Sequence, residues 1–339
     1  MAALRKTGPG PDAAGVEDVA VPQAGPGEVR VAVRATGICG TDLHILRDEF
    51  PSTPPVTMGH EVSGIVDQAA DGVDPSLVGR RVALETYFST CGHCAQCRSG
   101  RINLCVERRS IGSHVDGGFA SYVVVPAVNA HEVHASVSVA AGSLYEPLAC
   151  VAHCLCDPAV ASPGDTALVV GPGAMGLLAA QVLRAQGAVV TVVGTDRDKV
   201  RLETARSLGL TAVLADDLVD AVVPPLGFDV VTDCSGAAAG IARGLELTRR
   251  GGHYVQIGLC GQPIPLAIDL VCLHEVILTS GFASTPVSWA RAERLVAAGL
   301  VRLDPIVTRV GTLAEWRECF DLTRRAAGVK VVIDPGAAT

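Results

Sequence analysis

The sequence is poor in aromatic and charged side chains, and it contains neither a basic cluster nor a long uncharged apolar run. Aromatic residues make up 4% and charged residues 18% of the 339 residues, whereas hydrophobic residues make up 49%. A chain this apolar can bury a core, which excludes a disordered protein. No apolar run reaches the roughly 18 residues of a membrane-spanning helix, so we expect no membrane partner. The net charge of −8 argues against nucleic acid as a partner.

Cysteine is too sparse for a disulfide scaffold, but four of the twelve cysteines lie in one short segment: Cys91, Cys94, Cys97 and Cys105. The first residues lack the apolar stretch of a secretory signal, so we predict a cytoplasmic, reducing location, where clustered cysteines bind metal. Four thiolates on one loop suit a closed, structural zinc site. An iron–sulfur cluster is less compatible with this spacing. In the ferredoxin motif about three residues separate the last two cysteines, and a proline follows the last one. Here seven residues separate Cys97 from Cys105, and a valine follows Cys105.

The pattern of predicted secondary structure changes near residue 160. Short β-type runs and Gly/Pro turns in the first 150 residues predict a compact all-β unit. Apolar strands then alternate with helical patterns, which predicts an α/β unit with a parallel sheet. The final strand, Val329–Ile333, lies in a tail too short for a domain, so we expect it to pack on the first unit. We therefore predict a β-rich domain of residues 1–152 with 287–339, and a doubly wound domain of residues 153–286.

A glycine-rich turn opens the α/β region, between a predicted strand and a predicted helix. The residues of this G-x-G-x-x-G turn that we expect to contact a cofactor are Gly171, Gly173, Ala174, Met175 and Gly176. The glycines allow a tight turn, close approach of a pyrophosphate and close helix packing. The helix N-terminus supplies N–H groups for the phosphates. The context therefore predicts a dinucleotide site.

The residue pair after the next strand bears on the choice of cofactor. Asp196 lies 20 residues after Gly176, where a carboxylate binds ribose hydroxyls and repels a 2′-phosphate. This favours NAD. Arg197 follows at once and would suit a 2′-phosphate, so NADP is the less favoured alternative.

Three further segments carry metal-ligand residue types: Cys39-Gly-Thr-Asp-Leu-His44, Gly59-His-Glu-Val-Ser-Gly64 and Glu146-Pro-Leu-Ala149. The second segment begins like the H-E-x-x-H of zinc proteases. Glycine at position 64 and a strand-like pattern exclude that reading.

Together, these motifs, the cysteine loop and the glycine turn resemble the zinc-dependent medium-chain alcohol dehydrogenases over nearly the whole chain. The similarity is greatest to the branch of polyol (sorbitol/L-iditol) and threonine dehydrogenases. The resemblance implies a GroES-like β-rich catalytic domain and a Rossmann cofactor domain. It also implies two zinc ions per chain, one catalytic and one structural, and a homo-oligomer, either a dimer or a tetramer.

The resemblance assigns roles to individual residues. Cys39 and His60 would hold the catalytic zinc together with an acid, and it leaves open whether Glu61 or Glu146 binds directly. Asp42 would orient the zinc-bound histidine, as metal-binding histidines usually require.

Four other residues receive roles around the cofactor. Thr41 and His44 would pass the substrate proton to solvent through the cofactor ribose. Arg201 and Lys330 would contact the cofactor, with Lys330 near its pyrophosphate.

The implied activity is hydride transfer between a secondary alcohol, of polyol, sugar or aminocyclitol type, and NAD. Zinc would act as a Lewis acid on the substrate oxygen. An L-threonine 3-dehydrogenase and an NADPH-dependent carbonyl reductase are the enzymatic alternatives. A cofactor-binding redox sensor is the non-enzymatic alternative, but such a protein would keep the glycines and lose the ligands.

Overall fold

The structure is a computed structural model that describes residues 1–218 and 222–336. The strands of these residues are β1 (Ala2–Lys6), β2 (Ala14–Asp18), β3 (Glu28–Gly37), β4 (Val56–Thr57), β5 (Glu61–Ala69), β6 (Arg81–Leu84), β7 (Tyr87–Ser89), β8 (Arg109–Ser110), β9 (Tyr122–Pro126), β10 (Ala130–Glu132), β11 (Thr166–Val170), β12 (Val189–Gly194), β13 (Thr211–Leu214), β14 (Phe228–Asp233), β15 (Thr248–Gln256), β16 (Ile277–Ser280), β17 (Val307–Thr312) and β18 (Lys330–Asp334). Their helices are α1 (Gly40–Leu46), α2 (Ala95–Arg98), α3 (Val139–Gly142), α4 (Tyr145–Cys156), α5 (Ala174–Ala185), α6 (Lys199–Ser207), α7 (Ala238–Leu247), α8 (Ile268–Leu273), α9 (Pro286–Ala297) and α10 (Trp316–Arg324).

The chain forms two compact units. Unit 1 contains Met1–Glu146 and the chain from Val307 onward, and unit 2 contains Pro147–Ile306. These boundaries differ from the expected ones, after residues 152 and 286. The second shift has a visible cause within unit 2: Gln181 on α5 bonds both backbone groups of Arg302, and Arg291 on α9 pairs with Asp157. The segment from α9 to residue 306 is therefore part of the α/β unit.

Unit 1 is built on a mixed, mainly antiparallel sheet in the order β10-β6-β5-β3-β18-β17, with β9 also paired to β3. Alternate residues of β3 point into one core, where Val29, Val31 and Val33 are buried with Val62 and Val66 of β5. This period of two is the pattern of a strand with one apolar face. The GroES-like, β-rich unit predicted from the sequence is confirmed.

The C-terminal strand β18 enters this sheet between β3 and β17. Val332 and Ile333 pair with Gly37 and Thr36 of β3. On its other side, Gly37 of β3 pairs with Glu61 of β5. The tail therefore brings residue 330, some 270 positions away in the chain, next to the start of β5.

Unit 2 has a six-stranded parallel sheet in the order β13-β12-β11-β14-β15-β16. This is the 3-2-1-4-5-6 order of a Rossmann fold, whose strand order reverses between β11 and β14. Ligands of such folds bind at that reversal, beyond the carboxyl ends of the strands. Gly171 follows β11 directly, so the glycine turn lies at this position. The predicted Rossmann unit is confirmed.

Within residues 1–218 and 222–336, one helical stretch has the length and apolarity of a membrane span, namely Val139–Cys156, which covers α3 and α4. Of this stretch, 78% is buried inside the protein. Such burial is typical of a core helix.

Candidate functional site

Three of the predicted zinc ligands converge in unit 1. Cys39 precedes α1 as its N-cap residue, Glu61 is the first residue of β5, and His60 comes directly before it. The thiol sulfur, a ring nitrogen and a carboxylate oxygen of these residues all lie within 4.8 Å of one another. This donor set suits a zinc ion, and three protein ligands leave a coordination position for a substrate.

Asp42 adds a test of whether this set fits a metal. Its side chain is fully buried, and its Oδ2 accepts the backbone N–H of Cys39 at 2.8 Å. Its Oδ1 has no hydrogen-bond partner and lies 3.7 Å from Nδ1 of His60. Burial lowers the pKa of His60, but the charge and hydrogen bonding of Asp42, together with those of Cys39, raise that pKa well above its ordinary value. A carboxylate behind Nδ1 leaves Nε2 for a metal, so the residues present fit zinc.

Lys330 contacts one of the predicted zinc ligands. Its buried ammonium donates to both carboxylate oxygens of Glu61, at 2.7 and 2.6 Å, and to the carbonyl of Ile38 at 3.1 Å. Burial alone would lower the pKa of Lys330, but the charges of Glu61 and Cys39 raise it overall. An ammonium has three N–H donors, and all three have partners here. Lys330 therefore supports Glu61, and its contact with a pyrophosphate stays a prediction.

Glycine at position 37 makes room for the same carboxylate. A Cβ atom at Gly37 would overlap Oε2 of Glu61. Because Gly37 pairs with Glu61 across β3 and β5, the missing side chain lets the carboxylate reach Lys330. Gly37, two residues before Cys39, thus leaves the space that the Glu61 carboxylate occupies.

Glu146 does not belong to the converging set. It is buried, and its Oε1 accepts the hydroxyl of Thr86 at 2.9 Å. Its charge is nevertheless close enough to contribute to the raised pKa of Lys330. Of the two acids left open by the resemblance, Glu61 is the one grouped with Cys39 and His60.

The predicted proton-relay residues lie on α1. The hydroxyl of Thr41 is 3.7 Å from the sulfur of Cys39. His44 is in the last turn of the helix, and its Nδ1 lies 2.7 Å from Oε2 of Glu49. Sequence reasoning did not single out Glu49.

The four clustered cysteines form a second group. Their sulfur atoms lie within 4.8 Å of one another. Backbone N–H groups of Cys91, Cys94 and Cys97 point at the sulfurs of Cys105, Cys91 and Cys94 at 3.3–3.4 Å. The backbone N–H groups of Cys94 and His93 lower the pKa of Cys91 to about 6, whereas burial raises the pKa of Cys97 to about 11. A loop that directs four sulfurs to one point fits a closed tetrahedral zinc site.

The glycine turn of unit 2 has the tightness that a pyrophosphate site needs. Gly171 has a φ of +96°, and a Cβ there would lie 3.0 Å from Ser235. A Cβ at Gly176 would overlap the carbonyl oxygen of Gly171. Gly173 is the N-cap of α5, with open space on its Cα side, so a ligand can approach its backbone. Ala174 and Met175 form the first turn of that helix.

The predicted ribose-binding residues follow β12. Asp196 and Arg197 are exposed, and Asp196 pairs with Lys199 at 3.0 Å. Arg201 is half-buried, pairs with Asp198 at 3.4 Å, and reaches to 3.9 Å from the Cβ position of Gly173. Burial lowers the pKa of Arg201. Its guanidinium therefore stands beside the N-terminus of α5.

Sequence reasoning missed the contacts of three supporting residues: Lys330, Thr86 and Glu49. Lys330 was noticed, but its partner depends on strand pairing across the whole chain. Thr86 follows β6 and carries no motif. Glu49 had a local signal, since it lies five residues after His44, one turn beyond the helix end.

The comparisons agree with this geometry. Residues 25–135 match the family described as alcohol dehydrogenase GroES-like domain, and residues 174–298 match the family described as zinc-binding dehydrogenase. A sorbitol dehydrogenase of Halalkalibacterium halodurans is 34% identical, with 99% of each chain covered, and an L-threonine 3-dehydrogenase of Pyrococcus horikoshii is 35% identical, with 98% of each covered. A zinc-binding dehydrogenase of Sinorhizobium meliloti, solved with NADP, has a TM-score of 0.89 and 35% identity, over 98% of this chain and 99% of that one. The chain therefore belongs to the zinc-dependent medium-chain alcohol dehydrogenases, in the branch of polyol and threonine dehydrogenases.

Proposed function

We propose that this protein transfers a hydride between a secondary alcohol of polyol type and NAD, with zinc as the catalytic metal. The observation that carries the proposal is the convergence of Cys39, His60 and Glu61 in front of the buried carboxylate of Asp42. When bound, zinc supplies Lewis acidity to the substrate oxygen and NAD accepts the hydride.

Residues of this chain position the zinc ligands and transfer the proton. Asp42 holds the imidazole of His60 in one orientation, and Lys330 holds the carboxylate of Glu61. We assign to the hydroxyl of Thr41 the first transfer of the substrate proton, because it stands beside the ligand Cys39. His44, in the last turn of α1, would accept the proton and pass it on to solvent. Glu146, bonded to Thr86, is available to act on the site through water.

The preference for NAD over NADP is part of the proposal. Asp196 ends the turn after β12 with an exposed carboxylate, which suits two ribose hydroxyls and repels a 2′-phosphate. Arg197 and the NADP bound to the Sinorhizobium relative support NADP as the second candidate. Arg201, beside Gly173, is assigned to the cofactor phosphates.

The substrate class is proposed from the relatives. The similarity to a sorbitol dehydrogenase favours a polyol, sugar or aminocyclitol, and the similarity to a threonine dehydrogenase makes L-threonine the second candidate. The test is a panel of these alcohols with NAD and with NADP, followed by absorbance of the reduced cofactor. Turnover of one polyol with NAD supports the proposal. Turnover of L-threonine alone, or of carbonyl compounds with NADPH alone, selects an alternative, and turnover of none contradicts the proposed function.

We also propose that the protein is a cytoplasmic homo-oligomer. The twelve cysteines, all within the described residues, form no disulfide, which is in keeping with a reducing compartment. β16 lies at one edge of the parallel sheet of unit 2, and its Ile277 and Leu278 are 56% and 42% exposed. Leu273 and Phe282 add exposed apolar surface on either side of this strand. An apolar edge strand favours pairing, and a second copy related by a two-fold axis offers a matching edge.

A further inference from the structure

The turn after α1 returns a carboxylate to His44. Backbone N–H groups of Arg47 and Glu49 both donate to the carbonyl oxygen of His44, at 3.2 and 2.9 Å. Oε2 of Glu49 then lies 2.7 Å from Nδ1 of the same histidine. Glu49 is therefore held beside His44 by both a backbone and a side-chain contact.

This turn is held by a buried lysine. Asp48, at its apex, has a φ of +59°, a region that residues other than glycine rarely adopt. The carboxylate of Asp48 accepts from Nζ of Lys6 at 3.0 Å and from the N–H of Gly10 at 2.6 Å. Lys6 is fully buried, and it also donates to the carbonyl of Leu46, the last residue of α1. An unfavourable backbone conformation and a buried ammonium group thus occur at the same turn, which is typical of a functional position.

The contact with Glu49 determines which nitrogen of His44 carries the proton. The hydrogen bond to His44 and the charge of Arg47, whose Nε lies 3.1 Å from Glu49, lower the pKa of Glu49. Glu49 is thus ionised at neutral pH and can only accept a hydrogen bond. Nδ1 must therefore donate, and Nε2 of the neutral ring keeps its lone pair.

Most of the other charged groups around α1 have partners elsewhere. Asp42 faces His60, and α10, the helix that packs on α1, contributes the apolar Trp316 and Phe320 to the shared core. The charged residues of α10 are Arg317, Glu318, Asp321 and Arg324. Arg317 lies over the ring of Trp316, and Asp321 pairs with Arg324 and Arg325. Glu49 is the carboxylate within hydrogen-bond distance of His44.

We propose that Glu49 is a positioning residue for the proton relay: it holds His44 as the Nδ1–H tautomer, with Nε2 as the base. The inference rests on the proposed function of His44. In alcohol oxidation the hydride leaves with its electron pair for NAD, and the hydroxyl proton ends on Nε2. His44 is then an imidazolium paired with Glu49, and it returns the proton to water. The Lys6–Asp48 contact fixes the turn that makes this pairing possible.

Kinetics of the zinc-loaded enzyme test the pairing. Glu49→Ala is expected to lower kcat by about 10-fold, part of the 10²–10⁴-fold typical of general base catalysis, with KM changed by less than about 2-fold. Glu49→Gln should give an intermediate kcat, since its amide oxygen still accepts from Nδ1 but carries no charge. Glu49→Asp should recover part of the loss.

A double-variant test separates positioning from folding. In a His44→Ala background, Glu49→Ala should cause no further loss of kcat, because its target is gone. Glu246→Ala is the matched control, because Glu246 is an exposed carboxylate paired with Arg243 in unit 2. It should leave kcat unchanged. An unchanged kcat in Glu49→Ala, or equal losses in both backgrounds, would overturn the proposal.

Nitrogen NMR with ¹⁵N-labelled histidine reads the tautomer without turnover. The neutral His44 of the zinc-loaded protein should show a protonated Nδ1, and Glu49→Ala should lose this bias. A protonated Nε2 in the unsubstituted protein contradicts the inference even if the enzyme oxidises alcohols. If no alcohol is turned over, the proposed function fails by itself, and the NMR result alone decides whether Glu49 sets the tautomer.

Discussion

Asp42 and Lys330 each contact one of the proposed zinc ligands: Asp42 lies beside His60, and Lys330 pairs with Glu61. Neither is itself placed among the ligands, yet each carries a charge that the protein keeps out of solvent. Their loss should therefore have different consequences, one for metal affinity and one for stability.

Replacement of Asp42 tests the first consequence. Asp42→Asn removes the charge 3.7 Å from Nδ1 of His60 while keeping the size of the side chain. Zinc affinity of the catalytic site should fall by about 10–100-fold, the usual effect of losing such a partner. Competition with a chromogenic chelator measures this, and Asp18→Asn, on the exposed end of β2, is the control. Equal zinc affinity in both variants would contradict the assigned role.

Replacement of Lys330 tests the second consequence, the effect on stability. Lys330→Met leaves the carboxylate of Glu61 buried without a counter-charge, which should lower the free energy of unfolding by about 3–5 kcal/mol. Urea unfolding of the metal-free protein measures it, and Lys330→Met with Glu61→Gln should recover most of the loss. Lys199→Met, which breaks an exposed pair with Asp196, should cost only about 0–1 kcal/mol. A similar small cost for Lys330→Met would show that the buried pair does not stabilise unit 1.

At the scale of the elements, substitutions in the glycine turn before α5 can distinguish a loss of packing from a loss of ligand binding. Gly176→Ala places a Cβ on the carbonyl of Gly171, so we expect about 1–3 kcal/mol of destabilisation and a lower Tm. Gly173→Ala has room for its Cβ, so the Tm should stay close to that of the unsubstituted protein while NAD binding weakens. Thermal unfolding and NADH fluorescence titration give the two readouts. An unchanged NAD affinity in Gly173→Ala would exclude this turn as the pyrophosphate site.

Local elements were predictable from the sequence because their signals are local. The strands of unit 2 and helix α5 follow from apolar runs and from glycines at fixed spacing, and Cys39, His60 and the cysteine loop follow from motifs. The pairing of Lys330 with Glu61 was not predictable, because it depends on β18 entering the sheet beside β3. The boundary near residue 306 was also missed, since the contact between Gln181 and Arg302 joins distant segments. Long-range pairing of strands and buried charges leaves little trace in a single sequence.

At the scale of the whole molecule, the edge strand β16 predicts the assembly. Leu278→Arg places a charge on the exposed edge of the parallel sheet, so an oligomer that uses this edge should dissociate. Light scattering after size exclusion should give a multiple of the 34.8 kDa chain mass for the unsubstituted protein and a lower mass for the variant. Leu226→Arg, at an exposed position outside the strands, should keep the assembly. A monomeric unsubstituted protein, or an intact oligomer in Leu278→Arg, would contradict this use of β16.

The central claim is that Cys39, His60 and Glu61 hold a zinc ion on which alcohol oxidation depends. The most direct measurement is NAD reduction by the best polyol of the panel, before and after removal of metal with a chelator, with zinc content measured in the same samples. The account predicts that activity disappears as the catalytic zinc is lost and returns when zinc is added back. Activity that persists in protein free of catalytic zinc would contradict it.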